Sequence, residues 1–184
     1  MTDKAEKNMM TLVEAQADMR QGYWGGAAGV LVSGIAWIIA GGITWAVTPL
    51  AGLYALFLGG MFIYPGGNLI AKAVVRDGGH SEGNPLAMLA LESTVLLFIG
   101  LFISFTVFQV QPDWFFPIML MIIGGRYLVF RTLYGTSIFW MLGGTLLALG
   151  IVTLIFNEPV ALAAIAGGTI EIGFSFAIMR FANA

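Results

Sequence analysis

The chain has 184 residues, 59% of them hydrophobic and only 10% charged, with eight Lys or Arg against ten Asp or Glu and a net charge of −2. A soluble domain carries about 25% charged residues, so hydrocarbon rather than water surrounds most of this chain, and the balance offers no electrostatic grip on nucleic acid. Cysteine is absent, which excludes disulfides, thiol catalysis and thiolate metal sites.

Residues 1–21 hold seven charges and no apolar core segment, unlike a secretory signal. They are expected to form a cytoplasmic N-terminal segment. Met9, Leu12, Val13, Gln16 and Met19 mark a weak apolar face, so a solvated helix is expected there.

The rest, residues 22–182, is expected to be one transmembrane domain. A membrane-crossing helix needs roughly 20 apolar residues. Six segments qualify, at 23–47, 49–72, 85–110, 115–132, 135–157 and 159–181. Pro49, Pro85 and Pro159 stand at helix starts, where the missing amide hydrogen costs nothing. The fold class is therefore all-α and polytopic. Lys4, Lys7, Arg20, Lys72, Arg76, Arg126, Arg131 and Arg180 all fall on, or nearest to, the side of both termini. The opposite turns carry only Asp113 and Glu158. By the basic-residue bias of inner loops, both termini face the cytoplasm.

The even spans share a Gly-Gly pair after the proline of the preceding turn: Pro49 to Gly59, Pro112 to Gly124 and Pro159 to Gly167. Three repeated helical hairpins would explain this, although glycine is common in membrane helices anyway. Small residues also form stripes. Gly22, Gly26, Gly29 and Ser33 line span one, and Ala161, Ala164, Gly168, Glu171 and Ser175 line span six. Such stripes let helix backbones approach closely in lipid.

Three ionisable residues lie inside spans: Glu92, Arg126 and Glu171. Burying a charge at the bilayer centre costs about 2.5–3.5 kcal/mol on insertion scales, so each needs a partner, water or a proton. The expected arrangement is a clamp in which Arg126 neutralises one glutamate, leaving the other as a candidate proton carrier. Glu171 is the deepest, and its place on the small-residue stripe turns it toward a neighbouring helix. Tyr64 and Tyr127 are possible hydrogen-bond donors to either carboxylate. Pro65, Gly66 and Gly67 predict a break in span two, since proline withholds a hydrogen from the carbonyl of Met61. Asn68 adds an amide there, so this stretch is a candidate part of a substrate or proton pathway. His80 is the only histidine, so a metal site in its loop is not expected. No cofactor is expected. The five tryptophans mostly mark span ends.

The strings "QGY", "FIYPGGNLIAK", "EGNPLAML" and "GGRYLVFRTLYG" resemble a family of small six-span bacterial inner-membrane proteins with no assigned function. The likeness runs from about Arg20 to Phe181. It implies a helical fold in the inner membrane and brings no catalytic residue, substrate or cofactor.

Two functions compete. A small transporter or channel, with proton linkage as one form, would use the buried Glu/Arg layer on a small-molecule or ion substrate that the sequence does not identify. A membrane interaction or assembly protein would use the same charges to specify helix partners. No nucleophile elbow, His-rich metal motif or phosphate-cradling loop is present, so an enzyme is the least favoured class. The expected partner is the lipid bilayer; a chain this small could also form its pathway as a homodimer, on which the sequence is silent.

Overall fold

A computed structural model describes residues 10–75, 79–156 and 158–182. Of the residues singled out above, Lys4, Lys7, Met9 and Arg76 lie outside the described residues. Seven α-helices follow in order: α1 (Leu12–Gly22), α2 (Ala27–Ala46), α3 (Pro49–Val75), α4 (Leu86–Phe108), α5 (Phe115–Tyr134), α6 (Ile138–Phe156) and α7 (Val160–Ala182). Among the described residues there is no strand. Helices α2 to α7 are the six spans, each long and apolar enough to cross a membrane. The chain is a multi-pass membrane protein.

Helix ends follow local chemistry. Span five starts at Ile138 and not at 135, because Gly135 adopts φ 69° and its amide bonds the Arg131 carbonyl at 2.8 Å, closing α5. The entry to α4 is fixed by Asn84, whose side-chain oxygen accepts the Leu86 amide at 2.9 Å.

Helix α1 begins with a capping box between Thr11 and Glu14. Its packed face differs from the expected one. Leu12 and Val13 are exposed, and Ala15, Met19 and Gly22 are buried. The reason is polar docking across the bundle end. Gln16 donates to the Thr132 carbonyl at 2.8 Å, and Arg20 to that of Tyr134 at 2.7 Å. Both carbonyls belong to the last turn of α5, which has no further amides to satisfy them. Asp18 accepts from the Ser81 amide and hydroxyl and from Asn84 Nδ2, and Asn84 also donates to the Ala15 carbonyl. Helix α1 thus caps one end of the bundle, and the opposite end carries the α2–α3, α4–α5 and α6–α7 turns. Trp24, Gly25 and Gly26 then reverse the chain with φ of 49°, 61° and 82°. A side chain at Gly26 would begin 2.8 Å from the Tyr134 ring.

Two helix seams are closed by small residues, and both are built alike. On α2 and α7, Gly34 and Gly168 face each other, and a Cβ on either would lie within 2.8 Å of the other's carbonyl oxygen. One heptad further along, Gly41 meets the Ala161 carbonyl. On α5 and α6, Gly124 and Gly143 stand in the same relation, and Gly150 meets the Pro117 carbonyl. These contacts group the helices in threes. One group is α2 with α3 and α7, and the other is α5 with α4 and α6. The groups meet where α7 lies against α5 and α6. The three hairpins of the sequence therefore do not pack as three alike units.

The expected break in span two is not seen. Helix α3 runs unbroken through Pro65, Gly66 and Gly67. Only one backbone bond is forfeited at the proline, and Pro65 is exposed. The glycines serve close approach instead: Gly67 packs on the backbone of Gly29, and Gly66 on Val32. Trp37 departs from the interfacial pattern. It is buried in the core against Phe116, with ring centroids 5.8 Å apart.

Candidate functional site

Glu171 is 1% exposed, on the same face of α7 as Ala161, Ala164, Gly168 and Ser175. That face packs on α2 at Gly168, and one turn beyond Glu171 the Ser175 hydroxyl donates to the Ala27 carbonyl at 3.1 Å. The small residues draw α2 in so closely that the carboxyl between them is enclosed. Tyr127 of α5 donates its hydroxyl to Glu171 Oε1 at 2.6 Å. Ser33 of α2, also buried, adjoins both side chains. The second oxygen, Oε2, is buried without a partner. Among the described residues, Glu171 makes no ion pair.

Arg126 does not form the expected clamp. Its Nη2 donates to Thr94 of α4 at 3.1 Å, its guanidinium lies 5.1 Å from the Phe130 ring centroid, and its Nε is buried without a partner. Helix geometry separates it from Glu171. Successive residues are about 100° apart around the axis, so Tyr127 turns to α7 while Arg126 turns to α4. Glu92 is excluded by the same geometry. It stands two residues before Thr94, about 200° around α4, and is exposed. Arg126 and Glu171 therefore influence each other through space without a direct ion pair, and Glu92 stands apart from both.

The remaining candidates lie apart from the carboxyl. Tyr64 is 70% exposed and stands beside Tyr23 near the capped end. Asn68 is half-buried on α3, and no hydrogen bond joins it to Glu171 among the described residues. Two residues that complete the local geometry, Ser33 and Thr94, were not candidates by charge. Ser33 was visible as the last member of the span-one stripe. Thr94 had no signal beyond its distance from Glu92.

Glu171 is closed off at both ends. Toward the cap, the rings of Tyr127, Phe130, Tyr134 and Phe139 pack with centroids 5.2–6.2 Å apart, and Arg20 of α1 bonds the Tyr134 carbonyl above them. Toward the turns, the Gly34–Gly168 crossing intervenes. Beyond it an open recess of about 310 Å³ is lined by Thr44, Asp113, Glu158 and Ala161, among others. Among the described residues, no group of three His, Asp or Glu is placed to hold a metal ion. His80 instead shares a hydrogen bond of 2.8 Å with the Tyr23 hydroxyl.

No curated protein and no solved structure matches the chain. The family match covers nearly all of it. Residues 12–181 fit the Family of unknown function (DUF7010), and the chain belongs to that family of uncharacterised proteins.

Proposed function

We propose that this protein is a small membrane transporter or channel in which Glu171 carries a proton. One observation carries the reading: a carboxyl enclosed midway along a membrane helix, with one oxygen held by Tyr127 and the other without a partner. Buried polar groups that serve only structure are as a rule fully satisfied. An intramembrane acid is a functional-site hypothesis by default, and a proton relay is one of the roles such acids serve. The Tyr127–Glu171 bond also crosses the boundary between the two three-helix groups. Gain or loss of a proton there changes the bond that joins them, which is the coupling that alternating access requires. The acidic recess at the turn end supplies an approach for cations on the α2–α7 side.

The orientation proposed has both termini in the cytoplasm and the spans in a bacterial inner membrane, on the strength of the basic residues. The test is proton flux. The full chain in liposomes is monitored with a pH-sensitive dye under an imposed potential. The wild type should pass protons, and Glu171→Gln should stop them while keeping its helical circular dichroism. Equal flux in both removes Glu171 from the role. Reporter fusions at each terminus test the orientation, and an outward C-terminus refutes it.

A second reading has its own support. Glu92 is an acid on an exposed apolar side of α4, near Met88, Val95, Leu96 and Ile99. A carboxylate facing lipid is costly, and a helix from a partner, or from a second copy, would relieve that cost. This favours an interaction or assembly protein, and loss of self-association in Glu92→Leu would support it.

A further inference from the structure

Helices α3 and α4 follow each other in the chain but scarcely touch. Between them lies a lipid-facing groove of about 310 Å³, lined by Leu53, Tyr54 and Phe57 of α3 and by Phe98, Leu101 and Phe105 of α4. Thr94 stands one helical turn before Phe98, just past the end of this lining. Thr94, Phe98, Leu101 and Phe105 are spaced by four, three and four residues, which places them on one face of α4. Thr94 is also where Arg126 of α5 arrives, at 3.1 Å. The apolar groove therefore ends about one helical turn from the residue that meets a guanidinium.

That guanidinium is underused. One nitrogen bonds Thr94, Nε is buried without a partner, and no carboxylate among the described residues forms an ion pair with it. Glu92 faces away, and Glu171 is engaged by Tyr127. Glu171 acts on the guanidinium only through space and not at ion-pair distance, so the free donors of this intramembrane cation are open to an anion at contact. A guanidinium presents a fork of donors that fits the two oxygens of a carboxylate.

The chemistry selects the occupant. One groove accepts one chain, and one guanidinium balances one negative charge. Thr94 lies eight residues past Leu86, or ~12 Å along the helix. A bulky phospholipid head is poorly suited to that depth, whereas a bare carboxylate is not. We propose that the α3–α4 cleft binds a long-chain fatty acid from the bilayer, its carboxylate on Arg126 and its chain along Phe98, Leu101 and Phe105. This site is distinct from Glu171 and does not depend on proton transport.

The test is equilibrium binding of radiolabelled oleate to the full chain purified in detergent. Saturable binding near one oleate per chain is expected. Oleyl alcohol, with the same chain and no charge, should compete at least about tenfold more weakly, the loss expected when a charged hydrogen-bonded pair is removed. Arg126→Gln should lower oleate affinity by a similar factor, to that of the alcohol. Arg126→Lys should restore part of it. Leu101→Trp, which fills the groove without touching the charge, should abolish binding of both, and it answers the question if Arg126→Gln does not fold. Absence of saturable oleate binding, equal competition by the alcohol, or full affinity in Arg126→Gln and Leu101→Trp overturns the proposal. Stronger competition by dioleoylphosphatidylglycerol than by oleate overturns the single-chain assignment. Competition by acetate at equal strength reduces the site to an anion site without a chain.

Discussion

The Tyr127–Glu171 hydrogen bond offers the sharpest test of the buried site. Tyr127→Phe deletes one oxygen and leaves the ring, so the aromatic packing on Phe130 and Phe139 is kept. Interhelical hydrogen bonds in membrane proteins contribute about 0.6 kcal/mol on average and about 1.7 at most. A bond to an ionised group in a soluble protein contributes about 1.5–3 kcal/mol. Here the distance is 2.6 Å and the acceptor is fully buried, with the Ser33 hydroxyl as the neighbour able to take up part of the loss. The upper part of the membrane range therefore applies, about 1–2 kcal/mol. The measurement is a double-mutant cycle of Tyr127→Phe and Glu171→Leu, with reversible unfolding in mixed micelles followed by circular dichroism. A coupling energy of about 1–2 kcal/mol is expected. Glu171→Gln keeps an oxygen acceptor and should retain most of the stability. Additivity of the two substitutions to within about 0.3 kcal/mol would refute the reasoning, because the tyrosine would then hold the carboxyl with no net energy.

Two further outcomes follow from the packing and the cap. Gly168→Ala places a methyl 2.5 Å from the Gly34 carbonyl oxygen and should destabilise by about 1–3 kcal/mol. Gly173→Ala, with nothing within 4 Å, should be neutral or gain up to about 1 kcal/mol of helix propensity, and the same unfolding assay separates them. At the cap, partial burial raises the Asp18 carboxyl, but hydrogen bonds from Ser81 and Asn84, with His80 nearby, outweigh it and leave the pKa below the ordinary value. A depressed acid stabilises the docked state above its unfolded pKa, about 3.9. Docking of α1 should therefore hold from neutral pH down to about 4 and weaken as pH falls through the lower, docked value. Hydrogen exchange of residues 12–22 across a pH series should show that loss in the wild type and not in Asp18→Asn. Protection that grows on acidification contradicts the assignment.

The six spans were legible because length and hydropathy alone specify a membrane helix. Burial of Glu171 was legible too, through the spacing of Ala161, Ala164, Gly168 and Ser175. Partner choice was not. Whether Arg126 meets a glutamate or Thr94 depends on the register of α4 against α5, which is set by contacts such as Gly100 against Ile122. No single-helix pattern encodes that register. Pro65-Gly66-Gly67 misled for a related reason. The same residues that loosen an isolated helix also let two helices touch, and the choice is made by Gly29 on the neighbour. The face of α1 was misread because hydrogen bonds to the end of α5, and not apolar area, decide how it lies.

The two kinds of contact in this bundle have different mechanical consequences. At the α2–α7 and α5–α6 seams, one in each three-helix group, backbones meet at glycine with no side chain between them, so a shift of even an ångström produces a clash with a carbonyl. Between the groups, the contacts are made by long side chains, Trp37 on Phe116 and Tyr127 on Glu171, which can change rotamer without moving a backbone. Relative motion of the groups would therefore meet least resistance at the boundary between them, where Tyr127 and Glu171 stand. Helix α1 is continuous with one group through the Trp24–Gly26 turn and hydrogen-bonded to the other through Gln16 and Arg20. Relative movement of the groups must therefore strain or release the cap. Cross-linking α1 to the end of α5, with cysteines at Gln16 and Thr132, should leave folding intact and arrest any activity that depends on that movement. Full activity of the cross-linked protein would place the motion elsewhere.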